Sequence, residues 1–402
     1  MAQKKTALVL RLPSGEVKVT SPDRVYFPKR GYTKRDVVEY YLAVASGAVR
    51  GIRDRPLVLK RFVKGIGEKP FFQKRAPKSR PDWIETAIIS FASGRTAEEV
   101  VVRNTRQLIW CVNLGCLDLN PHATTTRDLD APNELRIDLD PNPGIEWSTI
   151  CDVAFLTREV LSEHGLVSWP KTSGSRGFHV LARIRPDWGF RDMRKAALAV
   201  AVEVERRGPG IATTRWAKEE RVGVFLDYNQ NAKDSTVASA YSIRPLEDAR
   251  VSAPLFWDEV ADSDPAGFTI LTMPDRFREI GDPHEGMDTV EPGDLSSLIA
   301  LADEQKALGT RSSQPLRFPL LTIANHPDLE PAMAGLERWK TKYPDAAKHL
   351  EPADILVDKQ RGRYSTWTRI RVNLRSVPQD LRPIQETPDP DEAPTRIHYS
   401  GR

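Results

Sequence analysis

The sequence predicts a mixed fold, of α/β or α+β class, for most of its length. Long amphipathic helices are indicated at 148–164 and 191–207, because apolar residues recur at spacings of three and four and each segment ends at a glycine. Strand-like segments at 135–140, 178–184 and 222–228 lie between and after these helices. Strands interleaved with helices of this length are typical of a domain in which helices cover a sheet.

The first elements of the chain are shorter. Thr33 is a candidate N-cap for a helix at 36–49, with Asp36 at the capping-box position. Short strands are predicted at 57–62 and 108–113, where β-branched, aromatic and other apolar residues follow one another.

The C-terminal third differs in composition. Residues 264–294 are rich in Pro, Gly and Asp and are predicted to be a connector. A helix at 295–308 and strands within 355–377 follow, and the Pro- and charge-rich residues 378–402 are predicted to be loosely ordered. We therefore expect a catalytic domain over residues 1–290 and a C-terminal extension over residues 295–402, packed on that domain or contacting a ligand.

Composition excludes several classes of protein. The 402 residues are 40% hydrophobic and 8% aromatic, which is enough for a packed core and too much for a disordered chain. No apolar run approaches the roughly 20 residues needed to cross a bilayer. Three cysteines without metal-ligand spacing favour reduced thiols, so we expect a cytoplasmic protein with no membrane partner.

Positive charge is concentrated at the N-terminus. Residues 1–80 carry 20 Lys+Arg against 6 Asp+Glu, whereas the whole chain has a net charge of only +4. Aromatic residues are interleaved with these bases, as in Lys60-Arg61-Phe62, and a ring beside a cation suits stacking on a base while the cation binds a phosphate. The pattern favours nucleic-acid binding; the alternative is a solvated basic face.

Two aspartates end the strand at 135–140. Leu135, Ile137 and Leu139 point to the core in this strand, so Asp138 and Asp140 emerge on the opposite face, roughly 7 Å apart. Carboxylate oxygens in such a pair suit Mg²⁺ or Mn²⁺, and two-metal phosphoryl transfer uses shared carboxylates. A solvated strand end is the alternative for an isolated Asp-x-Asp.

Two further segments carry candidate functional groups. Thr172-Ser173-Gly174-Ser175-Arg176-Gly177-Phe178-His179 combines small residues, whose backbone amides are predicted to be exposed as an anion nest, with a cation and a histidine. Val224-Phe225-Leu226-Asp227-Tyr228-Asn229-Gln230 ends a strand on a third carboxylate, Asp227. Taken alone, the alternatives are a flexible loop and a turn-capping aspartate.

Together these motifs, in this order, resemble the bacterial archaeo-eukaryotic primase superfamily. The polymerase domain of ligase D and the stand-alone primase-polymerases associated with ligase C belong to it, and the resemblance covers about residues 15–290. It implies an α+β catalytic core with two mixed sheets flanked by helices, and a template-dependent nucleotidyltransferase that adds one or a few nucleotides, NTP or dNTP, at short gaps during DNA repair. It also implies a two-metal site with Mn²⁺ or Mg²⁺, a preference for ribonucleotides and, from the DNA substrate, a nucleoid-associated location.

The resemblance assigns roles by motif. Asp138, Asp140 and Asp227 match the catalytic metal ligands, and the nucleotide-binding positions match Ser173, Arg176, His179, Arg221, Gln230 and Arg244. Ser21, Arg24 and Lys34 match a pocket for the 5′-phosphate at the far side of a gap, where backbone amides at the start of the helix are also expected to contribute. Phe71 and Phe72 match an aromatic pair that stacks on the template base.

Departures from the ligase D pattern favour the stand-alone subgroup. Asn120 stands in place of a histidine before the Asp-x-Asp strand, and His122 could compensate only if that strand continues through Pro121. Arg176 replaces a lysine, and a Lys-x-Asp-Gly ligase motif is missing from the 402 residues. The expected partners are gapped DNA with a 5′-phosphate, a separate ATP-dependent ligase of ligase C type and, as a further candidate, Ku.

Two alternatives to a polymerase stay open at this point, as do two interpretations of the extension. A metal-dependent nuclease would use the same carboxylates, and a non-catalytic DNA-end-binding protein would use only the basic residues. In the extension, residues 359–375 hold six cations and no acid, which indicates either a DNA-contacting strand or an edge strand protected by charge.

Overall fold

The computed structural model describes residues 7–91, 94–308, 318–361 and 366–386. The strands are β1 Ala7–Leu12, β2 Gly15–Thr20, β3 Val25–Phe27, β4 Tyr32–Thr33, β5 Pro56–Arg61, β6 Phe71–Gln73, β7 Glu85–Ser90, β8 Thr96–Val101, β9 Cys116–Pro121, β10 Glu134–Pro141, β11 Ser168–Thr172, β12 Phe178–Arg183, β13 Ala212–Thr213, β14 Val224–Asp227, β15 Leu320–His326, β16 Ile355–Arg361 and β17 Thr366–Asn373. The α-helices are α1 Lys34–Ala43, α2 Ala45–Arg50, α3 Thr105–Asn113, α4 Trp147–Glu163, α5 Phe190–Arg207, α6 Met273–Ile280, α7 Ser296–Ala307, α8 Leu329–Lys342 and α9 Pro344–Ala347.

Two larger sheets form the body of the catalytic part. One has the strand order β11-β12-β10-β14-β13, antiparallel except for the β13–β14 pair. In the other, β5 pairs antiparallel with β6, β8 and β9, and β7 joins through β8. This arrangement, with helices α1 to α7, confirms the predicted α+β fold, although only the first of the two sheets is mixed.

A buried charge network lies where β10 begins. Arg136 donates from Nε to Glu134 at 3.0 Å and from its two terminal nitrogens to the carbonyls of Pro121 and His122, each at 3.0 Å, which ties β10 to β9. Arg183 of β12 donates to the same glutamate at 2.7 Å. Burial alone would raise the pKa of Glu134, but Arg55, Arg136 and Arg183 hold that pKa well below its usual range.

The helix around Thr33 has the predicted capping box. Thr33 Oγ1 accepts from the Asp36 amide, and the Asp36 carboxylate accepts from the Thr33 amide at 2.6 Å. The helix begins at Lys34 and ends at Ala43, with α2 directly after it, so the predicted single helix at 36–49 is two helices.

The strand predicted at 108–113 is wrong, since these residues belong to α3. Asn104 caps this helix by accepting from the Gln107 amide at 3.1 Å. Residues 107 to 112 are all buried, which removes the polar face that normally marks helical periodicity. The predicted connector at 264–294 likewise contains α6.

The chain divides into two compact units. The first comprises residues 1–141, 147–214 and 224–310, and the second comprises 142–146, 215–223 and 311–402. Helix α7, which the sequence assigned to the extension, belongs to the first unit, where Lys195 of α5 pairs with Asp303 at 2.7 Å.

The second unit has its own core. Strands β15-β17-β16 form an antiparallel sheet, and α8 packs Leu336 and Trp339 against Ile370 and Val372 of β17. Strand β17 is central, so the edge-strand interpretation of residues 359–375 is wrong for it.

Cys111, Cys116 and Cys151 are buried free thiols. Across the described ranges, none of the helices combines the length and the apolar character needed to span a bilayer.

Candidate active site

The predicted carboxylates lie in the middle of the first sheet. Asp138 of β10 faces Asp227 of β14 on one side and His179 of β12 on the other. Residues directly opposite each other in antiparallel strands project from the same face, so these three side chains share one face. Asp140, two residues further along β10, extends the set toward solvent. We call Asp138, Asp140 and Asp227 the carboxylate row.

The carboxylate row concentrates negative charge. Burial, followed by the charges of Asp140 and Asp227, raises the pKa of Asp138 to about 8. Three carboxylates on adjacent strands are the hard oxygen donors that Mg²⁺ and Mn²⁺ prefer, and a divalent cation would relieve this repulsion. The donor chemistry therefore fits a metal.

In their present positions, the side chains of the carboxylate row do not form a complete metal-binding site. Among the residues that the structure describes, no group of three or more His, Cys, Asp or Glu side chains could hold an ion as it stands. The Asp227 carboxylate accepts from the Asn229 amide and from Gln230 Nε2, each at 3.0 Å, within its own turn. A carboxylate has about four acceptor positions, so these two hydrogen bonds leave others for a ligand.

The loop at 173–177 lies against the carboxylate strand. A Cβ at Gly177 would overlap the Leu139 carbonyl, and Gly174, at φ +67°, lies against Arg244 and Ser252 so closely that a side chain has no room. These two contacts explain the glycines of the motif. The loop therefore has a defined shape and is not a flexible connector.

The predicted nest of exposed amides is wrong for three residues of this loop. The amides of Ser175 and Gly177 both donate to Ser173 Oγ at 3.1 Å, and the Ser173 amide donates to the Gly177 carbonyl at 2.7 Å. The hydroxyl of Ser173, the small polar residue that suggested an anion site, accepts hydrogen bonds from its own loop. Arg176 is exposed at the tip of the loop.

Arg244 lies beside a buried acid of β9, Asp118. Its Nη1 lies 3.8 Å from Asp118 Oδ2, and Lys60 Nζ donates to the same oxygen at 2.8 Å. Sequence reasoning missed Asp118, which is buried in β9 and has no motif of its own. Gln230 lies next to the carboxylate row through its hydrogen bond to Asp227.

Lys171 is a second residue that sequence reasoning missed. It is 1% exposed, and its Nζ lies 2.8 Å from His179 Nδ1 and 2.5 Å from Ser252 Oγ. Burial and then Arg244 hold the pKa of Lys171 well below its usual range. A lysine inside the apolar strand that precedes the loop was the available signal.

His122, the candidate replacement for the histidine missing before the Asp-x-Asp strand, lies beside a buried acid. Strand β9 does continue through Pro121, but His122 is buried and its Nε2 lies 2.9 Å from Glu99 Oε2. Asn120 donates to the Asp118 carbonyl at 3.2 Å. His122 therefore has a structural partner of its own.

The predicted 5′-phosphate residues line one surface pocket of about 320 Å³. It is lined by Thr20, Ser21, Arg24, Tyr26, Lys34, Arg61, Val63, Asn113 and Leu114. We call it the N-terminal pocket. Arg61, which sequence reasoning did not assign to it, adds a third cation, and Arg24 donates to the Val63 carbonyl at 2.7 Å.

Two details of the N-terminal pocket differ from the prediction. The Lys34 amide donates to the Arg24 carbonyl and the Arg35 amide to the Pro22 carbonyl, each at 2.8 Å, so the predicted contribution of backbone amides at this helix start is wrong for both. Lys34 is 4% exposed, and its ammonium donates to the Thr20 carbonyl and to the backbone and side-chain oxygens of Asn113. Lys34 thus acts on the pocket mainly through its charge.

Phe71 and Phe72 are exposed on β6, as stacking requires. Their side chains are 46% and 66% exposed, a rare state for phenylalanine. Arg61 lies 5.0 Å from the centre of the Phe71 ring, and Lys60 lies 5.9 Å from that of Phe72. Exposed rings paired with cations suit the stacking of bases, and the template role of Phe71 and Phe72 stays a prediction.

The remaining candidates belong to the second unit. Arg221 donates to the carbonyls of Arg215 and Trp216, and its nucleotide role stays a prediction.

Of the extension's cations, Arg371 pairs with Glu219 and Asp358, and Arg375 pairs with Asp354. These neutralised arginines do not favour the DNA-contact interpretation, and Tyr364, within the same basic run, lies outside the described residues.

A mixed core of this kind, with three carboxylates beside a Gly-Ser loop and arginines, defines a nucleotidyltransferase of the primase-polymerase class. A family model described as "LigD, primase-polymerase domain" matches residues 33–284. The chain belongs to this family, which is part of the archaeo-eukaryotic primase superfamily.

Curated relatives and a solved structure point to the same family. The multifunctional non-homologous end joining protein LigD of Mycolicibacterium smegmatis is 34% identical over 280 residues, which cover 69% of this chain and 36% of that protein. The bifunctional non-homologous end joining protein LigD of Bacillus subtilis is 30% identical over 271 residues, with coverage of 67% and 43%. The polymerase domain of Mycobacterium tuberculosis ligase D, solved in complex with DNA, superposes with a TM-score of 0.64 and 29% identity, covering 69% of this chain and 99% of that domain. The chain thus matches less than half the length of these curated relatives.

Proposed function

We propose that this chain is a template-dependent polymerase that adds one or a few nucleotides, preferentially ribonucleotides, at short gaps during DNA repair. The observation that carries the proposal is the carboxylate row, with Asp227 and His179 directly opposite Asp138 in one sheet. The family model and a structural relative solved with DNA support it.

Asp138, Asp140 and Asp227 are the residues that would hold Mg²⁺ or Mn²⁺. Such ions, when bound, lower the pKa of an attacking hydroxyl and offset the charge of a triphosphate. The chain's own contribution is to fix three carboxylates on two paired strands, so that strand register sets their spacing.

The cations around the carboxylate row suit the incoming nucleotide. Arg176 is exposed at the loop tip, and Arg244 packs behind the loop against Gly174. Both could bind the triphosphate of an NTP or dNTP by charge-assisted hydrogen bonds, with Ser173 shaping the loop between them. Gln230 and His179 border the same face.

The gapped DNA would be bound by two other features. Phe71 and Phe72 offer faces on which a template base can stack, and the cations beneath them can hold backbone phosphates. The N-terminal pocket, with Arg24, Lys34 and Arg61, suits the 5′-phosphate on the far side of a gap.

We further propose that the product is a nick sealed by a separate ATP-dependent ligase of ligase C type, with Ku as a candidate partner at broken ends. The curated relatives carry out end joining as multifunctional or bifunctional proteins and are much longer than the matched part. A ligase that seals the nick is the class of partner that a gap-filling polymerase in end joining needs.

The test is extension of a labelled primer at gaps of one to four nucleotides, with a 5′-phosphate or a 5′-hydroxyl downstream. We expect NTP-dependent addition that needs Mn²⁺ or Mg²⁺, stops when the gap is filled and is most efficient with the 5′-phosphate. Shortening of the primer without nucleotides would indicate a nuclease instead. Binding without any turnover would indicate an end-binding protein.

A further inference from the structure

Asp118 is a buried acid to which the proposed function gives no role. It is 2% exposed on β9, and two cations lie beside its Oδ2, Lys60 Nζ at 2.8 Å and Arg244 Nη1 at 3.8 Å. Its other oxygen, Oδ1, is buried and has no hydrogen-bond partner within the described part of the chain. A buried carboxylate is costly unless it is paired, so these two cations stabilise it.

Lys60 makes the closer of the two contacts. Its Nζ donates to Asp118 Oδ2, and its side chain is 18% exposed. Strand pairing fixes this lysine, because Lys60 of β5 lies directly opposite Phe72 of β6. Its ammonium also lies 5.2 Å from the centre of the Phe62 ring. The lysine therefore links the buried acid to the exposed aromatic surface.

Arg244 is held in a different way. At 3.8 Å its Nη1 is too far from Asp118 Oδ2 for a hydrogen bond, although the opposite charges still attract. Its Nε has no hydrogen-bond partner among the residues that the structure describes. Arg136, by contrast, uses all three of its side-chain nitrogens on Glu134 and two carbonyls. Arg244 therefore keeps hydrogen-bond donors for a ligand.

The backbone confines the rest of the Arg244 side chain. The Arg244 amide donates to the Arg250 carbonyl at 2.8 Å, and a Cβ at Gly174 would lie only 2.5 Å from Arg244 Cγ. The first carbons of the side chain are thus fixed behind the loop at 173–177. The guanidinium, whose side chain is 23% exposed, is the part that can shift toward Asp118 or toward a ligand.

We propose that Asp118 is a positioning residue for Arg244 and that Lys60 sets the distance between them. Lys60 takes the hydrogen bond of Oδ2, so Arg244 is attracted by charge alone and keeps its donors for the anionic oxygens of a triphosphate. Because that ligand is the incoming nucleotide, this role rests on the proposed function. Without Lys60, the buried acid would draw Arg244 into a direct hydrogen bond, which uses donors that the nucleotide needs.

The test is a double-mutant cycle on nucleotide affinity. The probe is an NTP with an imido bridge between its α- and β-phosphates, which cannot react, titrated by calorimetry into the full chain bound to gapped DNA with Mn²⁺. For Lys60→Met we expect affinity to fall about fivefold in the wild-type background and less than about twofold in the Arg244→Ala background. The cost of losing the lysine should disappear when the arginine is not there to be misplaced.

Three further variants separate this role from general effects. Phe72→Ala removes a stacking ring and leaves Asp118 untouched, so its cost should be the same with and without Arg244. Lys60→Arg keeps a donor for Oδ2 and should recover most of the affinity. Lys64→Met, which removes an exposed cation paired with Glu68, should leave the affinity unchanged.

Removal of the acid should abolish the effect of the lysine. In Asp118→Asn there is no carboxylate to draw Arg244 inward, so adding Lys60→Met should change nucleotide affinity less than about twofold. Thermal unfolding confirms that each variant is folded. If Asp118→Asn does not fold, the cycle between Lys60 and Arg244 decides alone.

The outcomes separate the positioning role from the proposed function. An equal cost of Lys60→Met with and without Arg244 would overturn the positioning role, even in an active polymerase. The expected cycle in a chain that binds the nucleotide but does not extend a primer would support the positioning role and remove the proposed function.

Discussion

The carboxylate row and the N-terminal pocket are built in opposite ways. The row comes from two paired strands, and strand register alone places Asp138 opposite Asp227. The pocket comes from separate segments, with Arg24 on a turn, Arg61 at the end of β5 and Asn113 at the end of α3. Negative charge is thus fixed by one sheet, and positive charge by tertiary packing.

This difference predicts which function should be lost when residues of the carboxylate row or of the N-terminal pocket are substituted. In the carboxylate row each residue is expected to act on chemistry, because all three carboxylates would share one ligand set. In the N-terminal pocket each cation is expected to add to affinity for one phosphate. Substitutions in the first should abolish turnover, and those in the second should change only substrate choice.

The largest effect is expected from Asp140→Asn. This change removes a charge from the carboxylate row at an exposed position and keeps the size of the side chain. We expect nucleotide addition to fall by at least about a thousandfold, as for residues that act as one catalytic unit, with little change in DNA affinity. Single-turnover primer extension and fluorescence anisotropy measure the two.

The matched control is Asp262→Asn, at an exposed aspartate of the same unit. It should leave both measurements unchanged. Near wild-type extension by Asp140→Asn would remove Asp140 from the catalytic set.

A smaller effect is expected from Arg244→Ala. Loss of one charge-assisted contact to the triphosphate costs about 1.5–3 kcal/mol, so the KM for nucleotide should rise about tenfold or more. DNA affinity should change less, because Arg244 lies beside the loop and Asp118. The exposed Arg278, which pairs with Asp275 of its own helix, is the control for removing an arginine. An unchanged KM would reject the nucleotide role.

The N-terminal pocket is tested by the double variant Arg24→Ala/Arg61→Ala. We expect the wild type to prefer a 5′-phosphorylated gap over a 5′-hydroxyl gap by roughly tenfold at moderate salt, and the variant to bind both alike. The variant should still extend a primer at high DNA concentration, since the carboxylate row is intact. A retained preference would place the 5′-phosphate elsewhere. Lys64→Ala, which removes an exposed cation near Arg61 in the chain, should retain the preference.

The same difference explains what could be predicted from sequence. Asp138, Asp140 and Asp227 could be proposed from the sequence because each alternates with or follows the buried apolar residues of a strand, so a local pattern points to it. Arg61, Asp118 and Lys171 were missed because their roles depend on residues far away in the chain. The pairing of Arg61 with Arg24 in one pocket, for example, has no signature within either segment.

Local patterns also failed where burial removed them. Residues 108–113 were predicted as a strand, yet Asn104 caps them as a helix that is buried through residues 107 to 112. Ser173 was assigned to phosphate binding, which stays a prediction, and the structure adds that its hydroxyl accepts from the amides of Ser175 and Gly177. Neither the helix nor these hydrogen bonds could be read from the type of a single side chain.

The smallest effect, and the one that most sharpens the comparison, is a pH dependence confined to the N-terminal pocket. Burial, followed by the charges of Arg24 and Arg61, lowers the pKa of Lys34 to about 8. Above that pH Lys34 loses its charge, whereas a terminal phosphate, with a second pKa near about 6, keeps its own. Preference for the 5′-phosphate should therefore fall as pH rises from about 7.5 to 9.5, by less than tenfold per pH unit because one proton is involved.

The sign follows from linkage. A bound phosphate favours the protonated lysine, so binding takes up a proton near pH 8 and weakens as protons become scarce. Calorimetry in two buffers of different ionisation enthalpy measures this uptake, and anisotropy at constant ionic strength measures the preference. In Lys34→Met the preference should be lower and flat with pH, with thermal unfolding used to confirm that the variant is folded. A wild-type preference that stays constant to pH 9.5 would show that Lys34, held by Thr20 and Asn113, shapes the pocket without contributing charge to it.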